Sequence, residues 1–126
     1  MISIILTTFK EPQTLSRAIR KILKQNIKYD YEFLIVGPDQ ETKKIANQFS
    51  QNYPQIKYIK DQGQGKPTAL NLAFQKAKGK IYVLTDGDVY IDENALNALL
   101  EPFQNDKIGA TTGQPVSLNK KNNLFV

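Results

Sequence analysis

Asp86-Gly87-Asp88 sets two carboxylates one residue apart, directly after the apolar run Ile81-Tyr82-Val83-Leu84-Thr85. Acids held at the end of a buried strand lose hydration and need a compensating partner. A divalent cation carrying a phosphorylated substrate would satisfy both. The alternative is local: an Asx turn leading into a helix, where Asp is common. The chain has no His and no Cys, which removes imidazole and thiolate as metal ligands. Any metal must then sit on oxygen, which favours Mg²⁺ or Mn²⁺ over Zn²⁺. Acid–base work would fall to carboxylates, Lys, Tyr or hydroxyls.

Gly63-Gln64-Gly65-Lys66 invites two nucleotide motifs and satisfies neither. A P-loop needs Gly where Lys60 stands and Ser or Thr where Pro67 stands, and the dinucleotide fingerprint needs Gly at Thr68. What remains is a flexible loop, a lysine and a helix N-terminus, which suits either a phosphate or a plain connector. Asp39 could accept hydrogen bonds from a base or sugar, or simply shape the turn after Pro38. Glu11 could hold a ligand or favour the positive end of its helix. Thr7 and Thr8 could touch a ligand or pack within their strand.

These residues need elements to position them. Ile2 to Thr8 is a short apolar, β-branched run, as expected of a central strand. Pro12 opens a helix whose Leu15, Ala18, Ile19 and Ile22 recur at helical spacing. Residues 32–36 predict a second buried strand and residues 41–52 a helix. Residues 55–59 alternate, predicting a third strand nearer an edge. A helix from Pro67 ends at Gly79, and a buried strand follows over 81–85. Asp92 or a neighbour caps a helix reaching about Phe103, and Ile108 to Val116 predicts a last strand. The alternation implies an α/β chain with a Rossmann-like, mostly parallel sheet flanked by helices. In such sheets ligands bind at the carboxyl ends of the strands. Here those ends are Thr7-Thr8-Phe9, Gly37-Pro38-Asp39, Asp61 to Lys66, and Asp86 to Asp88.

Composition narrows the setting. With 126 residues, 40% of them hydrophobic and 23% charged, the chain reads as one soluble globular unit. No apolar run is long enough to span a bilayer, and no secretory signal opens the sequence. The absence of Cys fits a reducing, cytoplasmic setting. The net charge of +5 is concentrated partly in a stripe of Arg17, Arg20, Lys21, Lys24 and Lys28 on the first helix. That stripe is either a solvated face or a surface for anionic lipid headgroups at the inner face of a membrane. No aromatic residue interleaves with it, so nucleic acid is not expected there.

Taken in order, the motifs resemble the nucleotide-sugar half of a family 2 glycosyltransferase with the GT-A fold. Ile4-Ile5-Leu6-Thr7-Thr8-Phe9-Lys10-Glu11 is similar to that family's strand ending in Pro-Thr-Tyr-Asn-Glu. Val36-Gly37-Pro38-Asp39 stands where the family has an acid-rich turn. Gly65-Lys66-Pro67-Thr68-Ala69-Leu70-Asn71 is close to its Gly-Lys-x-x-Ala-Leu-Asn segment, and Thr85-Asp86-Gly87-Asp88 matches its D-x-D motif. The resemblance covers residues 1–117. It implies that Thr8, Glu11 and Asp39 hold the nucleoside of a nucleotide sugar, a UDP-sugar, with Asp39 near the base, and that Thr7 belongs to the same nucleotide-sugar site. Lys66 would lie near the nucleotide, Asp86 near the ribose or a metal-bound water, and Asp88 on Mg²⁺ or Mn²⁺. It further implies inverting transfer to an acceptor hydroxyl of a saccharide or lipid-linked acceptor, as in polysaccharide biosynthesis. The family's base and acceptor half would lie beyond Val126, so the GT-A fold is expected to be cut short. Residues 118–126 are then either a disordered polar tail or the start of that half.

Two rivals are weaker. A nucleotidyltransferase would want a Gly-rich basic loop after the first strand, but residues 7–13 hold no Gly and one Lys. A non-catalytic basic module would bind through the stripe alone, indifferent to metal.

Overall fold

Strand β1 (Ile2–Thr7) is buried at all six positions, which requires a neighbour on each edge and a layer on each face. The computed structural model, which describes residues 1–117, supplies all four. β1 pairs in parallel with β2 (Tyr31–Gly37) on one side and β4 (Ile81–Asp86) on the other, and β3 (Ile56–Lys60) adds to β2. The order is β3-β2-β1-β4, with β1 internal and β3 at an edge, as the sequence implied. Helices α1 (Pro12–Leu23), α2 (Gln40–Ser50) and α3 (Lys66–Lys76) connect the strands, and α4 (Ala95–Leu100) follows β4.

Strand periodicity assigns the two faces. Ile2, Ile4, Leu6, Phe33, Ile35 and Ile56 meet Leu15, Ala18, Ile19 and Ile22 of α1, Ala46 of α2, and Leu96 and Leu100 of α4. Ile5, Leu34, Val36 and Ile59 meet Ala69 and Ala73 of α3. At the amino-terminal end of the sheet, buried Glu32 accepts hydrogen bonds from the Ser3 hydroxyl and the Lys78 N–H, both at 2.6 Å. A Cβ on Gly79 would stand 2.5 Å from the Ser3 nitrogen, so glycine is what lets the α3–β4 connection press onto β1.

Three expectations need correction. β4 is not a buried strand: Tyr82 is 44% and Leu84 52% exposed. It lies at a sheet edge, and α3 packs over β1 and β2, reaching β4 through the Phe74–Tyr82 stack at 5.2 Å. The strand expected over 108–116 is absent. That stretch, holding Gly109 and Gly113, runs beside β4 without joining its ladder and is tied back by the Thr111 hydroxyl to the Leu99 carbonyl. Strand propensity without a hydrogen-bonded partner is not enough. The last helix is also shorter than expected, passing into a 3₁₀ turn at Glu101–Gln104, where Pro102 can donate no backbone hydrogen bond. Its N-cap is Asn94, a neighbour of Asp92, at φ 62 and with no side-chain cap. Gln25, just past the end of α1, substitutes: its Oε1 accepts from Leu96 N–H and its Nε2 donates to the Asp92 carbonyl.

Among the described residues no helix is long and apolar enough to cross a membrane. The expectation for 118–126 lies outside the described residues.

Candidate functional site

β1 has β2 on one side and β4 on the other, so the winding of the chain reverses beside it. Crevices of parallel sheets open at the carboxyl ends of such strands, and a cleft of about 420 Å³ opens there. Its lining includes Thr7, Thr8, Glu11, Lys66, Asp86 and Asp88, six of the seven residues singled out in the sequence.

Register does much of the positioning. Thr7 and Asp86 are opposite one another in the β1–β4 ladder, and the Thr7 hydroxyl donates to Asp86 Oδ1 at 3.1 Å. Lys66, at the start of α3, reaches the same oxygen at 2.5 Å. Side-chain exposures of 56% and 38% make this a pair of small net stability, so another anion can take the lysine at little cost. Asp88 has no hydrogen-bond donor among the described residues. Gly87 donates its N–H to the Thr7 carbonyl at 3.1 Å, and a Cβ there would lie 2.5 Å from Thr8 Oγ1. The Thr8 hydroxyl is buried and unpartnered although its residue lines the cleft.

The acids do not repel one another equally. Burial raises the Glu11 pKa above 4.5, and the charge of Asp88, then that of Asp86, adds to the rise; a Phe9 backbone hydrogen bond and Lys66 oppose it. A cation beside these carboxylates would relieve that repulsion. Among the described residues no three acidic groups are arranged to hold a metal alone. A hard cation bound by one or two carboxylates and substrate phosphates fits this donor set, which is how Mg²⁺ is commonly held.

Asp39 is placed differently. It does not line the cleft but caps α2, accepting from Thr42 N–H at 3.1 Å and from the Thr42 hydroxyl, and it also accepts from Lys10 N–H at 3.2 Å. Lys10 sits at φ 51, so Asp39 fixes the turn carrying Thr8, Phe9 and Glu11. Partial burial acts to raise its pKa, yet the hydrogen bonds from Lys10 and Thr42 prevail and hold it below 3.8. Its stabilisation is therefore present above pH 3.8 and disappears as pH falls through the lower folded value. Asp39→Ala is expected to cost about 1 kcal/mol at neutral pH and to flatten this acid limb, as read by urea denaturation across pH 2–6.

Asp61 opens the strand end 61–66 that the sequence marks, without being singled out there as a site residue. It is 5% exposed, lines the cleft at the end of β3, and accepts from Gly63 N–H at 2.6 Å. Phe9, 56% exposed, and Pro38 complete that end. The available signal was positional, an acid directly after an apolar strand, the same signal that singled out Asp86.

Comparisons with known proteins give the chain its relatives. The chain is 29% identical over 128 residues to the poly-β-1,6-N-acetyl-D-glucosamine synthase of Staphylococcus epidermidis, covering 98% of the chain and 30% of that protein. The corresponding synthase of Staphylococcus aureus (strain COL) is 27% identical, with the same coverage. The chain thus spans under a third of the length of these relatives. Among solved structures, the mannosyltransferase PcManGT of Pyrobaculum calidifontis, in complex with GDP-Man and Mn²⁺, superposes with a TM-score of 0.78 at 22% identity, over 86% of this chain and 33% of that one. TarS 1-349 of S. aureus in complex with UDP gives 0.66 at 23%, over 92% and 38%. These likenesses establish the GT-A architecture. The model of glycosyl transferase family 2 matches residues 3–126, and the chain belongs to that family.

Proposed function

We propose that residues 1–117 form the donor-binding domain of an inverting, metal-dependent glycosyltransferase that uses a UDP-sugar. The observation that carries this reading is the convergence of Lys66, Asp86, Asp88 and Glu11 on one cleft at the carboxyl ends of β1 and β4. A diphosphate meets a lysine there that is held only by an exposed ion pair, and the carboxylates left over suit a cation. Asp88 would hold Mg²⁺ or Mn²⁺ with the phosphates, and Asp86 would face the ribose or a metal-bound water. When bound, the cation would neutralise charge developing on the departing diphosphate.

The chain's own groups do the rest. Thr8 offers its unpartnered hydroxyl to the nucleoside, Thr7 and Lys66 orient Asp86, and Asp39 steadies the Thr8–Glu11 turn. Transfer breaks the bond from the anomeric carbon to the diphosphate and forms one to an acceptor hydroxyl, whose proton must pass to a base. The acceptor would be a saccharide or a lipid-linked group. The relatives named as polysaccharide synthases support a saccharide. Should the protein act at the inner, cytoplasmic face of a membrane, Lys21, Lys24 and Lys28 would provide the contact. Arg17 and Arg20 already lie over Tyr90 and Phe49, at 4.3 and 5.6 Å.

Calorimetric titration with UDP, with and without Mn²⁺, tests the reading. Binding at least tenfold tighter with the metal is expected. Failure of every common nucleoside diphosphate to bind in its presence would overturn it.

A further inference from the structure

Among the described residues, Lys66 is the one cation lining the cleft, which Glu11, Asp86 and Asp88 line as well. It opens α3, whose first turn holds no acid and whose N-cap, Gly65, makes no side-chain hydrogen bond. A cation at the positive end of a helix dipole is misplaced for helix stability. What holds it there is Asp86: the ammonium meets Oδ1 at 2.5 Å, the same oxygen that accepts from the Thr7 hydroxyl at 3.1 Å.

This pair has a consequence for a second cation. While Lys66 sits on Asp86 that carboxylate is neutralised, and a metal arriving at Asp88 meets an ammonium close by. Like charges in one small site repel. Lys66 also lowers the Glu11 pKa, against the rise caused by Asp88 and Asp86, so its charge is felt beyond its own partner. A diphosphate reverses the balance. It is a stronger anion than one carboxylate and draws the ammonium from Oδ1 into charge-assisted hydrogen bonds of its own. Asp86 then regains its charge, while phosphate neutralises Lys66.

Building on the proposed donor site, we infer that Lys66 is a placeholder cation, held on Asp86 until a diphosphate takes it, so that the metal binds well only together with the nucleotide. Lys66 is then a positioning residue acting through Asp86 as well as a phosphate contact. The free cleft takes up divalent cations poorly, and the nucleotide itself completes the metal site.

Lys66→Met keeps most of the apolar stem and removes the charge, and so exposed a pair adds little to folding. With free Mn²⁺ followed by its EPR signal, the nucleotide-free Lys66→Met chain is expected to bind the metal at least fivefold more tightly than wild type. Lys66→Arg, which can still pair with a carboxylate or a phosphate, should stay within twofold of wild type. Lys76→Met makes the same change in net charge at the last residue of α3, about 15 Å away, and should also stay within twofold. The second readout is the coupling. The factor by which UDP tightens Mn²⁺ equals the factor by which Mn²⁺ tightens UDP; it should fall at least threefold in Lys66→Met and persist in Lys66→Arg. A Lys66→Met chain that binds Mn²⁺ within twofold of wild type without nucleotide, or that keeps the full coupling, overturns the placeholder role while the donor site stands. A gain matched by Lys76→Met overturns it too, since net charge would then be enough. If UDP binds none of these proteins in Mn²⁺, the donor site falls as well.

Discussion

Asp88→Ala is expected to melt at the wild-type temperature without ligand and to lose the whole metal-dependent gain on adding UDP. Asp88 makes no hydrogen bond to the described residues and lies at the cleft, so its removal leaves no partner unsatisfied. Ligand at about 100 times Kd stabilises a protein by about 2.7 kcal/mol. In a domain of this size that corresponds to a rise in melting temperature of roughly 8 °C. Wild type should show the rise with UDP and Mn²⁺ together and far less with either alone, and Asp88→Ala should show none. The free variant carries a second signature. The Asp88 charge is, after burial, the strongest influence raising the Glu11 pKa, so Glu11 in Asp88→Ala should titrate closer to 4.5, measurable by NMR of its carboxyl carbon. A variant that keeps the full thermal gain would remove Asp88 from the site, whatever happened to Glu11.

Asp86 would not give so clean a result, because its carboxylate is already engaged by Thr7 and Lys66. The D-x-D triplet reads as a symmetrical pair in the sequence, but the two acids are not equivalent. Alternation along β4 turns Asp86 toward the α3 side with Ser3, Ile5 and Thr7 as neighbours, whereas Asp88 lies past the turn. One acid is built into the wall, and the other is left for the ligand.

The same distinction explains what could be read in advance. Apolarity and period identify β1 as central because six consecutive buried residues admit no other place. They identify the cleft because every parallel strand delivers its last residues to the same side. They say nothing about what covers an element. Ile81 to Leu84 is as apolar as β1, yet β4 sits at an edge with Tyr82 and Leu84 exposed. Ile108 to Val116 has a strand's composition and finds no ladder. Side-chain hydrogen bonds are equally hidden, being made by residues far apart in the chain. The hydrogen bonds that Asp39 accepts from Thr42 and Lys10 are likewise not announced by its neighbourhood in sequence. Gln25 caps a helix 71 residues away, a role no local pattern could assign. Asp61 fell within a stretch whose glycines drew attention to flexibility rather than to the buried acid before them.

Gly87→Ala is expected to damage the site through volume alone, with no charge altered. The added Cβ would stand 2.5 Å from Thr8 Oγ1 and 2.8 Å from Thr8 Cβ. Thr8 cannot simply swing aside, because its N–H is bonded to the Val36 carbonyl at 3.0 Å and its branched side chain has few rotamers. Either Thr8 shifts with β1 or Gly87 leaves its hydrogen bond to Thr7, and both move Asp86 and Asp88 relative to the nucleoside side of the cleft. Overpacking of this kind costs about 1–3 kcal/mol, and UDP affinity in Mn²⁺ should fall at least tenfold. Thr8→Gly removes both clashing atoms, so the double variant should regain stability that the single Gly87→Ala loses, a favourable coupling in a double-mutant cycle. Affinity should return only in part, because the Thr8 hydroxyl goes with the clash. Urea midpoints and UDP titrations on the four proteins separate the two effects. Additive stabilities would mean that Gly87 and Thr8 do not press on one another, and full recovery of affinity would mean that the hydroxyl contributes nothing to the ligand.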